Sequence, residues 1–198
     1  MTPRQFEQLR ARVAGRKPAP VPVFTTVISS ATAGVVIGID PSLRGTGYGV
    51  IQAGKPSPRA LAHGTISCPA NWEHSRCLAK ISQTLREVIR LHHPTACAIE
   101  GLFFAQNLQT ALIMGQARGA ALAVLGEAGL EVYEISPRKI KQAIVGYGAA
   151  QKLAVAKMVQ RLLKLSEIPA PDAADALAVA LAHIQESNHY TFGRSKRI

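Results

Sequence analysis

Cysteines are few in this 198-residue chain, and long apolar runs are missing. Cys68, Cys77 and Cys97 lie far apart and form no CxxC pair, which speaks against a zinc ribbon and against a disulfide framework. Such an odd, scattered set favours a reducing cytosol. No apolar run approaches the ~20 residues that a membrane-spanning helix needs, so the sequence does not predict an integral membrane protein.

Negative charge is also scarce. The chain has 12 Asp and Glu against 23 Lys and Arg, which gives a formal net charge of +11, and only Asp40, Asp172 and Asp175 are aspartates. This surplus favours a polyanionic partner, either a nucleic acid or an anionic membrane surface. A hydrophobic content of 47% with 18% charged residues excludes a disordered basic tail protein.

The first 33 residues differ from the rest of the chain. They carry five Arg and Lys residues against one Glu, followed by a proline-rich stretch. We interpret residues 1–33 as a flexible basic extension, while an organelle transit peptide remains the alternative. The folded domain is predicted to span residues 34–186, and residues 187–198 form a basic C-terminal tail.

Alternating and β-branched patterns predict five strands, at residues 35–40, 46–53, 60–67, 96–100 and 131–135. Helical periodicity predicts helices at residues 71–91, 107–127, 136–145, 149–165 and 171–186. Short turns make the first three strands an antiparallel meander, and the long helix before the fourth makes that strand parallel to the first. Asn71 is expected to cap the first helix, and Ser136 to cap the third. This order is that of the ribonuclease H-like α/β fold, a mixed five-stranded sheet flanked by helices.

The carboxylates fall at the ends of these elements. Asp40 ends the first strand and Glu100 ends the fourth, so parallel pairing would place them side by side at one sheet edge. Asp172 and Asp175 share one face of the last helix, which is apolar nearly all round. Buried carboxylates need a compensating cation, and residues 165–193 contain no Lys or Arg, which favours a divalent metal such as Mg²⁺. The alternative is that both Asp residues lie in the first turn of the helix only because the helix dipole stabilises negative charge there.

Five segments, in order and spacing, resemble the bacterial RuvC Holliday-junction resolvases: IGIDPSLRGTGYGVI (37–51), AIEGLFFAQN (98–107), GQARGAALAV (115–124), SPRKIKQAIVGYGAAQK (136–152) and PDAADALAVALAHI (171–184). The resemblance covers about residues 35–185. It implies a homodimeric, Mg²⁺-dependent endonuclease, with Mn²⁺ as a substitute, that nicks two opposing strands of a four-way DNA junction in recombination and repair. It also implies a bacterial cytoplasmic, nucleoid-associated protein that cooperates with the RuvA–RuvB branch-migration complex.

The resemblance also assigns roles to single residues. The family's four metal-binding acids match Asp40, Glu100, Asp172 and Asp175. Together they are expected to hold two metal ions in each active site. The family's junction-stacking aromatic matches Phe103, and its two basic residues near the site match Lys141 and Lys152. The helix through the GQARG segment is where the family dimerises.

Basic residues cluster around the start of two predicted helices. Arg138, Lys139 and Lys141 open one helix and Lys152 opens the next, an arrangement that favours phosphate and hence DNA. A solvated basic face is the alternative. The loop 146–148 between these helices faces DNA or is a tight connection. The glycines at 45, 47 and 49 have two interpretations. They let a phosphate group approach the backbone, or they only allow the tight turn of the hairpin.

Three other functions remain open from the sequence. The first is another ribonuclease H-like nuclease, acting on RNA–DNA hybrids or as a transposase. The second is an actin-like or sugar-kinase-like ATPase, because GIDPSLRGTG resembles the phosphate hairpin of that superfamily, although 198 residues do not supply its two domains. The third is a non-catalytic DNA-binding module, for which the net charge alone would suffice.

Overall fold

Strands and helices follow one another in the predicted order in the computed structural model, which describes residues 34–101, 107–188 and 195–198. Their bounds are β1 (Val35–Asp40), β2 (Gly45–Gln52), β3 (Arg59–Ser67), α1 (His74–His92), β4 (Ala96–Glu100), α2 (Leu108–Glu127), β5 (Glu131–Ile135), α3 (Pro137–Val145), α4 (Lys152–Leu163), α5 (Pro171–Asn188) and β6 (Lys196–Arg197).

The strands form one mixed sheet in the order β3-β2-β1-β4-β5-β6. β1, β2 and β3 pair antiparallel, whereas β1, β4 and β5 run parallel, which confirms the predicted fold class. The sequence predicted five strands, and the structure adds β6 at the edge, antiparallel to β5. Two residues are too few for a detectable alternation, and the contacts that hold the strand are tertiary: its backbone pairs with β5, and Arg197 forms an ion pair with Glu131 at 2.8 Å.

The starts of two helices test the capping residues predicted from the sequence. Ser136 caps α3 as expected, since its hydroxyl accepts a hydrogen bond from the Lys139 amide at 3.4 Å. Asn71, however, does not cap α1: this prediction was wrong. A turn closed by the Trp72 amide on the Pro69 carbonyl uses that segment, and the helix begins at His74.

The core lies on both faces of the sheet, because successive residues of a strand point to opposite sides. Val36 of β1 and Ala98 of β4 face the layer of α3, α4 and α5. Ile37 and Ile99 of the same strands face the layer of α1 and α2. The described residues thus form a three-layer α/β/α unit with β1 and β4 at its centre.

Glycines in the central strands let α5 lie directly on the sheet. A Cβ atom on Gly38 would lie 2.7 Å from the Ala180 amide nitrogen, and one on Gly49 would lie 2.7 Å from Leu177 Cδ2. A Cβ atom on Gly47 would collide with the Asp172 carbonyl. Close helix packing therefore explains these glycines, and it brings the first turn of α5 to the ends of β1 and β4.

Candidate active site

Asp40 and Glu100 stand next to each other at one edge of the sheet. The parallel register pairs Ile39 with Ile99, so the residues that follow them leave β1 and β4 side by side. Both side chains are half-buried, and their carboxyl groups share a hydrogen bond. The pairing of the two central strands therefore creates the carboxylate pair expected from the sequence.

α5 adds two more carboxylates to this edge. The Asp175 side chain is only 18% exposed and accepts a hydrogen bond from Lys152 Nζ at 2.6 Å. Asp172 lies one turn earlier, with its Oδ2 atom 2.8 Å from the place where a Cβ atom on Gly45 would stand. The negative charges of both aspartates act on Asp40.

Burial changes the protonation of the carboxylate pair. It raises the pKa of Asp40, and it raises the pKa of Glu100 to about 8, with the neighbouring charge of Asp40 as the second cause. Near neutral pH the pair therefore does not ionise fully, because Glu100 keeps its proton. Because these buried carboxyl groups resist full ionisation, a cation that enters the site would stabilise their ionised forms.

Lys152 already supplies part of that positive charge. It reaches the acids from the first residue of α4, and its pKa is raised chiefly by the hydrogen bond with Asp175. The last helix therefore does have a compensating cation, contrary to the expectation from residues 165–193, because that cation comes from another helix. Its side chain is 76% exposed, so it can leave Asp175 without disturbing the core.

A cavity of about 170 Å³ opens beside these groups. Glu100, Lys141, Lys152 and Asp175 are among the residues that line it. The structure thus brings Lys141 to the acids, half-buried in the wall of the cavity. The other lining residues are apolar. They lower the local dielectric constant, which strengthens the electrostatic interactions between the charged groups of the cavity.

The donor chemistry of the site fits a divalent metal ion. Carboxylate oxygens are the ligands that Mg²⁺ prefers, and the buried acids lack a full complement of positive charge. Within residues 34–101, 107–188 and 195–198, no three His, Cys, Asp or Glu side chains are arranged to hold one ion. The acids are instead occupied in pairs, Asp40 with Glu100 and Asp175 with Lys152. Metal binding here requires loss of the Glu100 proton and displacement of the Lys152 ammonium.

The remaining predicted residues lie around this site or outside the described part. Arg138 and Lys139 are exposed at the start of α3, and Arg138 packs against Gly148. Tyr147, on the connection between α3 and α4, is 56% exposed. Phe103 falls within residues 102–106, outside the described residues.

Sequence reasoning missed Arg118. This residue of α2 is 8% exposed, donates a hydrogen bond to the Glu100 carbonyl oxygen at 2.6 Å and forms an ion pair with Glu134. A signal existed, because Arg118 is the single charged residue between Leu108 and Gly126 in an otherwise apolar and Gly/Ala-rich helix. A lone charge in such a helix is buried with a partner or faces solvent, and the sequence alone does not separate the two.

Known proteins resemble this chain in sequence and in structure. The sequence profile of the family described as crossover junction endodeoxyribonuclease RuvC matches residues 36–183. The protein of that name from the Nichols strain of Treponema pallidum is 42% identical over 171 residues, which are 85% of this chain and 87% of that protein. Its namesake from Janthinobacterium sp. strain Marseille is 48% identical over 148 residues, 75% of this chain and 82% of that protein.

A solved structure supports the same relationship. It is described as T. thermophilus RuvC in complex with Holliday junction substrate. The two folds superpose with a TM-score of 0.76 at 35% sequence identity, covering 83% of this chain and 99% of the other. The similarity therefore extends over nearly the whole length of that protein.

Proposed function

This chain belongs to the RuvC family of crossover junction endodeoxyribonucleases, and on that basis we propose that it resolves four-way DNA junctions by metal-dependent nicking of two opposing strands during recombination and repair. The observation that carries the proposal is the carboxylate cluster of Asp40, Glu100 and Asp175 at the edge of β1 and β4. A non-catalytic DNA-binding module has no need of such a cluster inside a basic protein, since like charges beside phosphate weaken binding.

We assign metal binding to Asp40, Glu100, Asp172 and Asp175, with two Mg²⁺ ions per site and Mn²⁺ as a substitute. When bound, such ions supply an activated water and stabilise the leaving oxygen of a phosphodiester. The chain's own part is to hold the four carboxyl groups on two rigid strands and one rigid helix. Glu100 gives up its proton on binding, which the raised pKa makes dependent on pH.

Lys152 and Lys141 act on the phosphate. Lys152 is exposed and hydrogen-bonded to Asp175, so it can turn from that carboxylate to a phosphate oxygen when DNA enters. Lys141 stands in the wall of the same cavity. Both would neutralise the charge that develops on the phosphate during cleavage.

A basic surface next to the site is proposed to bind the duplex arms of the junction. Arg138 and Lys139 are exposed at the start of α3, where helix amides and cations together attract phosphate. We assign the stacking on an unpaired base to Phe103, which follows Glu100 by three residues in the sequence. The basic residues 1–33 and 187–198 are proposed as arms that add affinity without sequence preference.

A homodimer would place two such sites on one junction. α2 exposes an apolar stripe on the side away from the core, formed by Leu108, Leu112, Gly119 and Ala123. By length and composition alone, α2 is also the one helix among the described residues that could cross a membrane. Its inner face packs in the core and carries the Arg118–Glu134 ion pair, so we interpret the outer face as a helix-packing surface between two copies.

The cellular setting is part of the proposal, and bacterial relatives that act on DNA are consistent with it. We place the protein in the bacterial cytoplasm with the chromosomal DNA, as a partner of the RuvA–RuvB branch-migration complex. Junctions moved by that complex would reach the resolvase as approximately two-fold symmetric substrates, which match two sites related by a two-fold axis.

The test is a nicking assay on an immobile four-way junction, with and without Mg²⁺. The full chain should cut two opposing strands only when Mg²⁺ is present, and Asp40→Asn should abolish cutting while junction binding persists. Glu87→Gln, an exposed change on α1, is the control that should leave cutting intact. Rapid cutting of an RNA–DNA hybrid with no preference for the junction would instead favour a different ribonuclease H-like nuclease.

A further inference from the structure

Arg118 joins α2 to the strand that presents Glu100. Its guanidinium donates to the Glu100 carbonyl oxygen at 2.6 Å and pairs with the Glu134 carboxylate on β5. The Arg118 side chain is 10% exposed and that of Glu134 is 33% exposed, so the ion pair is largely withdrawn from water. A planar guanidinium with several fixed donors can make both bonds at once, whereas an ammonium has no such fork.

The backbone at the end of β4 is held from two sides. The Gly101 amide donates to the Ile135 carbonyl at 2.9 Å, which ties this end to β5. Arg118 takes the Glu100 carbonyl, the other polar group of the same peptide, and ties it to α2. With both groups fixed, this peptide cannot rotate freely, and the direction of the Glu100 side chain toward Asp40 is set.

Space around Gly101 is limited in the same region. A Cβ atom on Gly101 would lie 3.2 Å from Glu134 Cγ, so the Glu134 side chain lies tightly beneath the chain where it leaves β4. Glu134 faces Ile99 in the parallel register of β4 and β5. Arg118 and Glu134 thus form one bracket around the end of β4, defined here as the Arg118–Glu134 bracket.

We propose that Arg118 is a positioning residue, which orients Glu100 for metal binding and connects that orientation to the seating of α2. The inference rests on the proposed function, because it takes Glu100 as a metal ligand. Residues that orient metal ligands without touching the metal commonly change its affinity by roughly 10–100-fold. Since α2 also carries the outer stripe proposed for dimerisation, a shift of this helix would move the Glu100 backbone with it.

A purely structural role predicts something different. Loss of a buried arginine would then lower stability, and well below the melting temperature the folded protein would bind Mg²⁺ and cut as the parent does. The positioning role predicts weaker Mg²⁺ binding and slower cutting in protein that is fully folded. Mg²⁺ affinity, measured by titration calorimetry without DNA, therefore separates the two.

The experiment compares Arg118→Gln with Arg86→Gln in the full chain. Arg86→Gln is the matched control, because it also removes an ion pair between an arginine and a glutamate of α2. That pair, Arg86 with Glu127, is exposed, with side chains 52% and 59% accessible. Arg118→Gln should raise the Mg²⁺ dissociation constant roughly tenfold and slow cutting at least as much, while junction binding without metal stays within about twofold. Arg86→Gln should change neither quantity.

Two further variants keep the test decisive. Glu134→Gln leaves Arg118 and Glu100 in place but removes the carboxylate that holds the guanidinium, and it should shift Mg²⁺ binding in the same direction by a smaller factor. Arg118→Lys should recover part of the affinity lost in Arg118→Gln. If Arg118→Gln does not fold, Glu134→Gln carries the test. Parent-like Mg²⁺ affinity in folded Arg118→Gln, or in Glu134→Gln when the former is unfolded, overturns the proposal.

Failure of the proposed function gives a separate result. If the parent chain binds Mg²⁺ but does not cut junctions, the metal titrations still report on Arg118, and only the substrate assignment falls. If the parent binds no Mg²⁺ at all, the assignment of Glu100 as a ligand is wrong, and the positioning role falls with it.

Discussion

The Nζ atom of Lys152 lies 2.6 Å from Oδ2 of Asp175, so an ammonium already stands where the carboxylates of two strands and a helix converge. The two residues are 23 positions apart in the chain, and α4 and α5 bring them together. The contact makes Lys152 a competitor of any divalent ion for Asp175. It also keeps, close to the site, the positive charge that a bound phosphate requires.

Removal of Lys152 should separate metal binding from cutting. Lys152→Met frees Asp175 and deletes a nearby positive charge, so Mg²⁺ should bind several-fold more tightly to the DNA-free protein. Junction cutting should fall by about 100-fold, because the charge that opposes the phosphate in the transition state is lost. Calorimetry and the nicking assay measure the two effects. Lys157→Met, an exposed change on the same helix, serves as the control, and weaker Mg²⁺ binding in Lys152→Met would contradict the competition.

The stability of the metal-free protein should depend on Glu100 and pH. The Glu100 pKa is raised from 4.5 to about 8, so between these values the folded chain binds more protons than the unfolded chain. The contribution of Glu100 to stability then falls as pH rises from about 4.5 to about 8. Glu100→Gln removes this loss, and in metal-free buffer it should melt at a higher temperature than the parent at pH 9 but not at pH 4.5.

The control for this pH effect is Glu87→Gln, which is exposed on α1. It should leave the difference between the melting temperatures at the two pH values as it is in the parent. Equal stabilisation by Glu100→Gln at both pH values would show that ionisation of the buried Glu100 carboxyl group is not the cause.

A charge on the outer stripe of α2 should dissociate the proposed dimer. Leu112 is 60% exposed in the chain by itself, so Leu112→Arg leaves the core intact but places a charge where two copies are proposed to meet. Analytical ultracentrifugation should then find a monomer, and each junction should receive single rather than paired nicks. Leu91→Arg, at 56% exposure on α1, should remain a dimer with paired nicks.

The glycine surface beneath α5 should not tolerate a methyl group. A Cβ atom on Gly38 would meet the backbone of α5, and a helix backbone cannot move aside as a flexible side chain can. Gly38→Ala should cost about 3 kcal/mol of unfolding free energy in a urea titration, with loss of cutting. Gly126→Ala, where a Cβ atom meets nothing within 4 Å, should be neutral or slightly stabilising.

Tyr147 should contribute to junction binding without contributing to the fold. Its ring is 56% exposed between Gly146 and Gly148, close to the basic start of α3. Tyr147→Ala should weaken junction affinity by about 1–2 kcal/mol, the value of one stacked base, with an unchanged melting temperature. Tyr147→Phe keeps the ring and should bind as the parent does; equal losses in both variants would point to the hydroxyl instead.

Local signals account for most of what could be predicted of the fold. β-branched runs located the central strands, and Ser136 marked the start of α3, since each depends on neighbours within a few residues. The same logic placed Asp40 and Glu100 side by side, because parallel pairing alone brings the ends of β1 and β4 together. Asn71 shows where local reasoning ends, as a turn closed by Trp72 used the segment it would have capped.

By itself, the sequence determined the element order, the family and the acids expected at the sheet edge, because strand and helix periodicity and motif spacing are written in consecutive residues. Only the tertiary structure decided that Lys152 pairs with Asp175, that Arg118 holds the Glu100 carbonyl, and that glycines seat α5 on the sheet. These contacts join residues far apart in the chain, and they range from the largely buried Arg118–Glu134 pair to the exposed Lys152 ammonium on Asp175. Periodicity along a chain carries no record of which distant charges meet or how far they are withdrawn from solvent.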